Sequence, residues 1–543
     1  MIPSTIYLDS AARATERALS LIDIELTSPS IGSFDRTWWC WKFSDFSAPR
    51  LQEGIFTLAW LYSSPLADQR FRGKSVLLER ADAAIRFWVG LQHADGSFDE
   101  AYPFERSFAA TAFTSFYIGH SIERLMDFLS ADTLKVALRA IEQSAKWLAA
   151  NGEYHGILSN HLAAAAGALQ IAGDLLGTDR FLTDRDRYLG IIYREQDDVE
   201  GWMREYDGAD PGYQSHCMFY LAAILNRTQD SELRERLTLA TEFIAWFIHP
   251  DGTLGGEYAS RGTKFAFPAA FEILASKIPM AAAVAAHLRE CIVHRRGVGA
   301  DQMDQWNLFP LLNNLLFASE VAENLSSPTQ LPWCELGAEK TFPNAGLYVA
   351  NRNNRLLTVG LTHGGVIKLW DINTKELIYE DCGYALKAHG KPLVSQSYSA
   401  WRRSNKDDSS TFIVESGFKG IASLRFNPWL FVCFRLFTLT VGVLPSVARM
   451  LKNILVTFLI KRKKPSVAKL TRQIEVANNG TLLIKDQITG ISEMPIPLAR
   501  QVSVHMGSSR YADVIDFLGA RDQPGQPKYN PTSCIAERIQ IIK

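Results

Sequence analysis

At 543 residues, with 47% apolar and 21% charged residues, the chain is too long for one simple core and has the composition of an ordinary globular protein, so two or three domains are expected. Lys plus Arg (57) balances Asp plus Glu (58), which excludes a global field that would select nucleic acid; an acidic polymer would have to be held by a local cleft. Seven cysteines (40, 217, 291, 334, 382, 433, 534) without CxxC spacing exclude a disulfide framework and a zinc site, and point to reduced thiols in a reducing compartment.

The first residues, MIPSTIYLDSAARATERALSLI, lack a basic stretch followed by an apolar run, so no signal peptide is expected and the chain reads as cytoplasmic or peripheral to the inner membrane. From about residue 10 to 325 apolar residues recur at three and four spacing, as in RLQEGIFTLAWLY, LKVALRAIEQSAKWLAA and HLAAAAGALQIAGDLL, which predicts helix after helix. Two of the intervening loops resemble each other: LQHADGSFDEAYPFERSFAATAF from Leu91, and FIHPDGTLGGEYASRGTKFAFPAAFEIL from Phe247. Each ends a helix, turns through Asp-Gly and starts another, which suggests helical hairpins arranged as an α/α toroid over residues 1–325. A linker is expected at 326–337. Beyond it short, β-branched, alternating segments such as AGLYVANRNNRLLTVGL and GGVIKLWDINTKELIYEDC predict an antiparallel β-sandwich-like domain over 338–543.

One segment interrupts the β pattern. Residues 427–460 read NPWLFVCFRLFTLTVGVLPSVARMLKNILVTFLI and are followed at once by Lys461, Arg462, Lys463 and Lys464. Arg435 lies inside the run and Pro445 ends its first half, so an interfacial membrane anchor over 427–464 is preferred to a transmembrane helix; a buried insertion packed on the toroid is the other reading.

A polar constellation stands out in the small-residue-rich helical region. Asn160 and His161 open NHLAAAAGALQIAG; Arg204 follows, then Tyr213 and His216 at the start of another apolar helix, Tyr213 lying 53 residues after Asn160. An amide and a guanidinium can neutralise a carboxylate, and an imidazole and a phenol can move protons. That set fits removal of the weakly acidic C5 proton of a uronic acid. Asn160 and Arg204 would hold the carboxylate, His161 would be the base, and Tyr213 the acid or both base and acid. His216, three residues on, shares a helical face with Tyr213. Each also has an ordinary reading: Asn160 as an N-cap, the histidines as hydrogen-bonded structural groups, Tyr213 as core.

These motifs resemble the α/α-toroid polysaccharide lyases, the alginate lyases and heparinase II/III-like enzymes. The resemblance implies an N-terminal incomplete toroid, a C-terminal antiparallel β domain, and a centre on Asn160, His161 and Tyr213, with Arg204 as a further basic residue. It also implies a histidine from the β domain at the cleft, for which His363 in GLTHGGVIKLWD is the candidate. Glu257, Tyr258 and Arg261 in GGEYASRGT, and Tyr102, Glu105 and Arg106 in AYPFERSF, are expected substrate contacts, as is His216.

The expected activity is β-elimination on a uronic-acid-containing glycan of bacterial surface or exopolysaccharide metabolism. The expected partners are an acidic polysaccharide, a membrane surface through 427–464, and polysaccharide-assembly proteins. A uronate C5-epimerase shares the first proton abstraction. A glycoside hydrolase would instead need two carboxylates among Asp95, Asp99, Glu100, Asp207, Asp210 and Glu257. A non-catalytic glycan-binding subunit of a synthesis complex is the third alternative. No cofactor is expected. No ligand cluster demands a metal, which leaves only a structural ion open, and neither a Walker A nor a GxGxxG motif is present.

Overall fold

Small residues on mutually facing helices dictate the first half of the molecule. In the computed structural model, which describes residues 2–542 apart from 43, 154–155, 207, 325–328, 389–390, 397–398, 407–408, 421–426, 458–464 and 500–523, six inner helices form a ring. They are Gly54–Ser63, Phe108–Leu125, Ser159–Leu176, Pro211–Thr228, Ala269–Leu274 and Gln305–Val321. Each packs on the next, and the last returns to the first. The Ala and Gly content of the Ser159–Leu176 helix lets its neighbour approach closely. A Cβ on Gly167 would lie 2.8 Å from Phe116, and one on Gly119 2.8 Å from Ile171, so each helix receives a large side chain of the other. Asn313 joins the ends of the ring. Its Oδ1 accepts from Thr57 Oγ1 (2.8 Å) and its Nδ2 donates to the Glu53 carbonyl (2.9 Å).

Outer helices alternate with inner ones and are amphipathic. Ala131–Ala150, for example, buries Ala137, Ala140, Ile141, Ser144, Ala145 and Leu148 at three and four spacing. The two similar loops seen in the sequence have the same geometry. His93 N–H donates to the Ser97 carbonyl (2.9 Å) and His249 N–H to that of Thr253 (2.8 Å), around Gly96 and Gly252 at φ +95° and +79°. Both glycines press on the following outer helix: a Cβ on Gly96 would stand 2.2 Å from the Gln143 carbonyl oxygen.

After the helix ending at Val321 the first strand begins at Glu339. A five-stranded antiparallel meander, Glu339–Phe342 to Glu376–Asp381, packs through Tyr348, Val359, Ile367 and Leu369 on Phe412, Val414, Ile474 and Ile484 of a larger antiparallel sheet. Beside this apolar layer is a buried charge network. Arg472 Nε donates to Asp486 (2.8 Å), its Nη2 to Asp381 (3.1 Å) and its Nη1 to the Gly365 carbonyl (2.8 Å); Arg538 joins both carboxylates.

The two halves are locked by a second buried network. Glu257, on the toroid loop, pairs with Lys264 and with Lys368 of the meander, which also reaches Glu380 (2.9 Å). Beside it His249 stacks on Trp370 (centroids 3.8 Å apart) and takes part in a 2.8 Å hydrogen bond with the Tyr258 hydroxyl.

The described part of the 427–464 segment contains two short helices, Pro428–Leu439 and Pro445–Val456, which lie in sequence between the paired strands Ser409–Gly420 and Pro465–Ala477. Among the described residues no helix is long and apolar enough to cross a membrane. The basic run 461–464 and the hydrolase candidate Asp207 lie outside the described residues.

Removing one member of a buried charge network leaves the others uncompensated. Arg472→Met should therefore lower unfolding free energy by roughly 3–5 kcal/mol, read as a lower urea midpoint at unchanged slope.

Candidate active site

A two-strand turn gathers the polar groups. Arg204–Glu205 pairs with Gly208–Ala209 and is stitched to the entry of the Ser159–Leu176 helix: Tyr206 N–H donates to the Ile157 carbonyl (2.9 Å) and Ser159 Oγ to that of Arg204 (2.8 Å). Successive strand residues face opposite ways. Glu205 therefore points inward while Arg204 turns to the surface, where its Nη1 lies 2.8 Å from Glu195 Oε2. Arg204 was the expected charge support for a carboxylate; the strand alternation instead gives it to Glu195.

Glu205 is fully buried. Its Oε1 accepts from Asn160 N–H (3.1 Å) and Asn160 Nδ2 (2.7 Å), and its Oε2 lies 3.4 Å from Arg261 Nη1. Asn160 is thus not the cap of its own helix. A carboxylate 45 residues away satisfies the helix's N–H and sits at the positive end of its dipole. Among the described residues Asn160 Oδ1, an acceptor, is buried without a hydrogen-bond partner; a further donation from this amide would have to come from the second Nδ2–H.

Asp210 does for Tyr213 what Glu205 does for Asn160. Its Oδ1 accepts from Tyr213 N–H (2.9 Å) at the start of the Pro211–Thr228 helix, and its Oδ2 from Arg261 N–H (2.8 Å). One carboxylate fixes both backbones, and the Arg261 guanidinium comes to lie 3.6 Å from the Tyr213 ring centroid and 5.3 Å from that of Tyr206. Burial raises the Asp210 carboxyl, against those two backbone donors and the Arg261 charge, to about 6. Burial likewise pushes the Tyr206 phenol up to about 12.

His161 is held from the other side. Its Nδ1 lies 2.7 Å from Glu153 Oε2, and its ring meets Phe113 edge-on at 5.4 Å. With Nδ1–H donated to the carboxylate, Nε2 is the nitrogen that can take a proton. On Phe113 also lies Arg50 (Cζ to centroid 4.3 Å), which pairs with Glu53 (2.5 Å) and Glu100 (3.2 Å).

Other expected contacts have different places. His216 is buried between Phe267 (4.0 Å) and Phe113 (5.6 Å), and its Nε2 is 2.8 Å from the Tyr220 hydroxyl. Burial first, then the charges of Arg50 and Arg261, hold its pKa well below the ordinary value, and its ring is packed between two aromatic side chains. Glu257 and Tyr258 are buried in the joint between the two halves. Burial opposes ionisation of Glu257, but Lys264 and Lys368 outweigh it and hold the carboxyl far below the usual range. From the same loop, Arg261 alone of the three reaches the Tyr213 side.

His363 sits in the turn between Arg355–Gly360 and Val366–Asp371, which abuts that loop: a Cβ on Gly360 would be 2.7 Å from the Tyr258 carbonyl. Glu105 pairs with Lys452 of the inserted hairpin (3.1 Å), Tyr102 meets Phe434 edge-on (5.2 Å), and Arg106 pairs with Asp95 (3.0 Å). These three therefore hold the insertion and their own loop. Of the carboxylates weighed for hydrolysis, Asp99 accepts from the backbone of Phe104 and Arg106, and Glu100 from Ser107 (2.7 Å) while pairing with Arg50. Among the described residues no group of three or more His, Cys, Asp or Glu is placed to hold a metal ion.

Glu205, Glu153 and Arg50 were not singled out from the sequence. A two-residue strand has no periodicity to say which of Arg204 and Glu205 faces inward, and a Glu eight residues before a His carries no motif.

Among solved structures, the chondroitin AC lyase of Streptomyces coelicolor A3 is similar at TM-score 0.53 and 13% identity, covering 90% of this chain and 66% of that one. A xanthan lyase of Paenibacillus is similar at TM-score 0.51 and 11% identity, covering 90% and 46%. The fold is that of the α/α-toroid polysaccharide lyases. Heparinase III is similar at TM-score 0.47 and 12% identity over 82% of this chain and 64% of that one. The chain thus spans just under two thirds of the chondroitin lyase and about half of the xanthan lyase. No family model and no curated protein matches it.

The raised carboxyl of Asp210 has a pH signature. The folded state keeps its proton to about pH 6 while the unfolded chain loses it near 4, so this group's contribution to stability falls as pH rises through that window. Asp210→Asn should remove that slope. Between pH 4 and 7 wild type should lose on the order of 2–3 kcal/mol relative to the variant, read from urea midpoints.

Proposed function

We propose that the protein is a polysaccharide lyase that cleaves a uronic-acid-containing glycan by β-elimination. The observation that carries this is the juxtaposition of Asn160, Tyr213 and Arg261 around two buried carboxylates, with His161 oriented by Glu153 on the same helix as Asn160. The toroid-lyase fold supports the reading.

The uronate carboxylate docks at Asn160 and Arg261, whose donors take up the charge that develops as the C5–H bond breaks. Arg261 thereby replaces Arg204 in the role expected from sequence. His161 Nε2 receives the C5 proton, and Glu153 stabilises the imidazolium that forms. As the C4–O bond breaks and C4=C5 forms, the Tyr213 hydroxyl gives its proton to the departing glycosidic oxygen. Arg261 over the Tyr213 ring stabilises negative charge growing on the phenol oxygen. Where substrate presents C5–H on the phenol's side, Tyr213 serves both steps and His161 becomes a positioning cation. Among the described residues, the carboxylates beside Tyr213, Glu205 and Asp210, are engaged by backbone and side-chain donors, which favours elimination over hydrolysis.

Ultraviolet absorbance of the unsaturated uronide, followed over a panel of acidic polysaccharides, tests this. Wild type should give a rising signal. Tyr213→Phe and Asn160→Ala should each lower its rate by roughly 10²–10⁴-fold, while Arg204→Ala stays within about threefold. Proton exchange at C5 without an unsaturated product would assign the site to an epimerase instead.

A further inference from the structure

The inserted hairpin has two unlike faces. Inward, Arg435 pairs with Asp45 (2.7 Å), Lys452 with Glu105 (3.1 Å), and Phe434 meets Tyr102; Thr438 and Ala448 are buried. Lys452 lies among Glu105, Glu153 and Glu100: burial disfavours its charge, but the three carboxylates outweigh this and keep it protonated. The hairpin thus roofs a cavity of about 230 Å³ whose floor includes Trp147 and Glu153, the residue that orients His161. Outward, it is bare. Of the 28 exposed large hydrophobic side chains among the described residues, 11 fall between Trp429 and Ile454, including Trp429 (80% exposed), Leu436 (61%), Leu439 (52%), Leu444 and Met450. A patch so concentrated is not what a monomer surface carries by chance.

We infer that this face seats the protein on an anionic lipid surface, with the candidate cleft held directly behind it. Three observations select lipid as the occupant. In sequence, residues 427–464 contain no Asp or Glu and seven Lys or Arg, of which Arg435 and Lys452 pair inward and four form the run 461–464 outside the described residues, in a chain whose net charge is −1. Each helix has 12 residues, about 18 Å, too short to span the ~30 Å hydrocarbon core. Pro445 starts the second helix after a short connecting turn, giving two short segments suited to lying in the interface rather than a rod that crosses it. The cations on the inward side are committed to Asp45 and Glu105, so the hairpin is fastened to the toroid at the same time as its apolar side is offered to lipid.

The inference stands on the exposed face and not on the lyase reading, so its test uses no substrate. Full-length protein is sedimented with phosphatidylcholine vesicles and with vesicles containing ~30% phosphatidylglycerol, at low and high salt, alongside Leu436→Glu/Leu439→Glu, whose positions are solvent-exposed and should not disturb folding. Wild type should pellet with the anionic vesicles and be released by salt, and the double variant should bind roughly tenfold less or weaker still. Trp429 fluorescence, taken as the difference from Trp429→Phe, should shift to the blue on binding. Failure to pellet, equal binding to both vesicle types, or binding untouched by the double variant would overturn the inference. So would a vesicle-independent dimer that the double variant dissociates, which would give the face to a second copy of the chain.

Discussion

The site depends on two carboxylates that have been taken out of water and repaid with backbone donors. Glu205 and Asp210 stand five residues apart on either side of a small hairpin. Each accepts from the N-terminus of a different inner helix, and both reach Arg261. A helix N-terminus buried without partners is costly, and so is a buried carboxylate. Placed together they satisfy each other, and the satisfaction fixes geometry: Asn160, Tyr213 and Arg261 arrive from residues separated by as much as a hundred positions because three chain segments share two acidic side chains. The Ala- and Gly-rich ring behind them is what allows the helices to stand close enough for that sharing.

This arrangement sets how the candidate chemistry divides. The helix entered at Asn160 carries both the amide that faces Glu205 and the imidazole that faces Glu153, so one helix end holds an amide and an imidazole in fixed relation. The Tyr213 helix, entered through Asp210, brings the phenol under Arg261. The nearby charges Arg50 with Glu53 and Glu100, and Lys452 with Glu105, are paired, so they add no net basic surface. That accords with a chain whose overall charges balance.

Much of the fold was legible in sequence for a simple reason. Helical periodicity is repeated over three hundred residues, the two Asp-Gly loops resemble each other, and the change to alternating strands is abrupt. Asn160, His161 and Tyr213 stood out because polar groups beside alanines at helix starts are out of place, and the fold sets Asn160 and Tyr213 on the shared Glu205–Arg261–Asp210 cluster. What was not legible was direction. Arg204 and Arg261 look equivalent in sequence, and only the facing of a two-residue strand sends one to Glu195 and the other, from a distant loop, to Tyr213. Glu257 and Tyr258 sit in the same motif as Arg261, yet they pair with Lys368 and His249 because the β meander docks there. A loop's composition does not say which of its residues a second domain will cover. His216 shows the converse: spacing put it on Tyr213's face, but two aromatic rings enclose it.

The central claim is that the scissile bond breaks by elimination, with no water entering the product. The most direct measurement is mass spectrometry of the oligosaccharides released in water enriched in ¹⁸O. Elimination gives products whose new non-reducing ends lack the elements of water and whose new reducing ends carry no label beyond slow anomeric exchange, corrected against unreacted oligosaccharide. Uptake of one labelled water per cleaved bond, with the ¹⁸O in one of the two new ends, would contradict it and place the chemistry with hydrolysis.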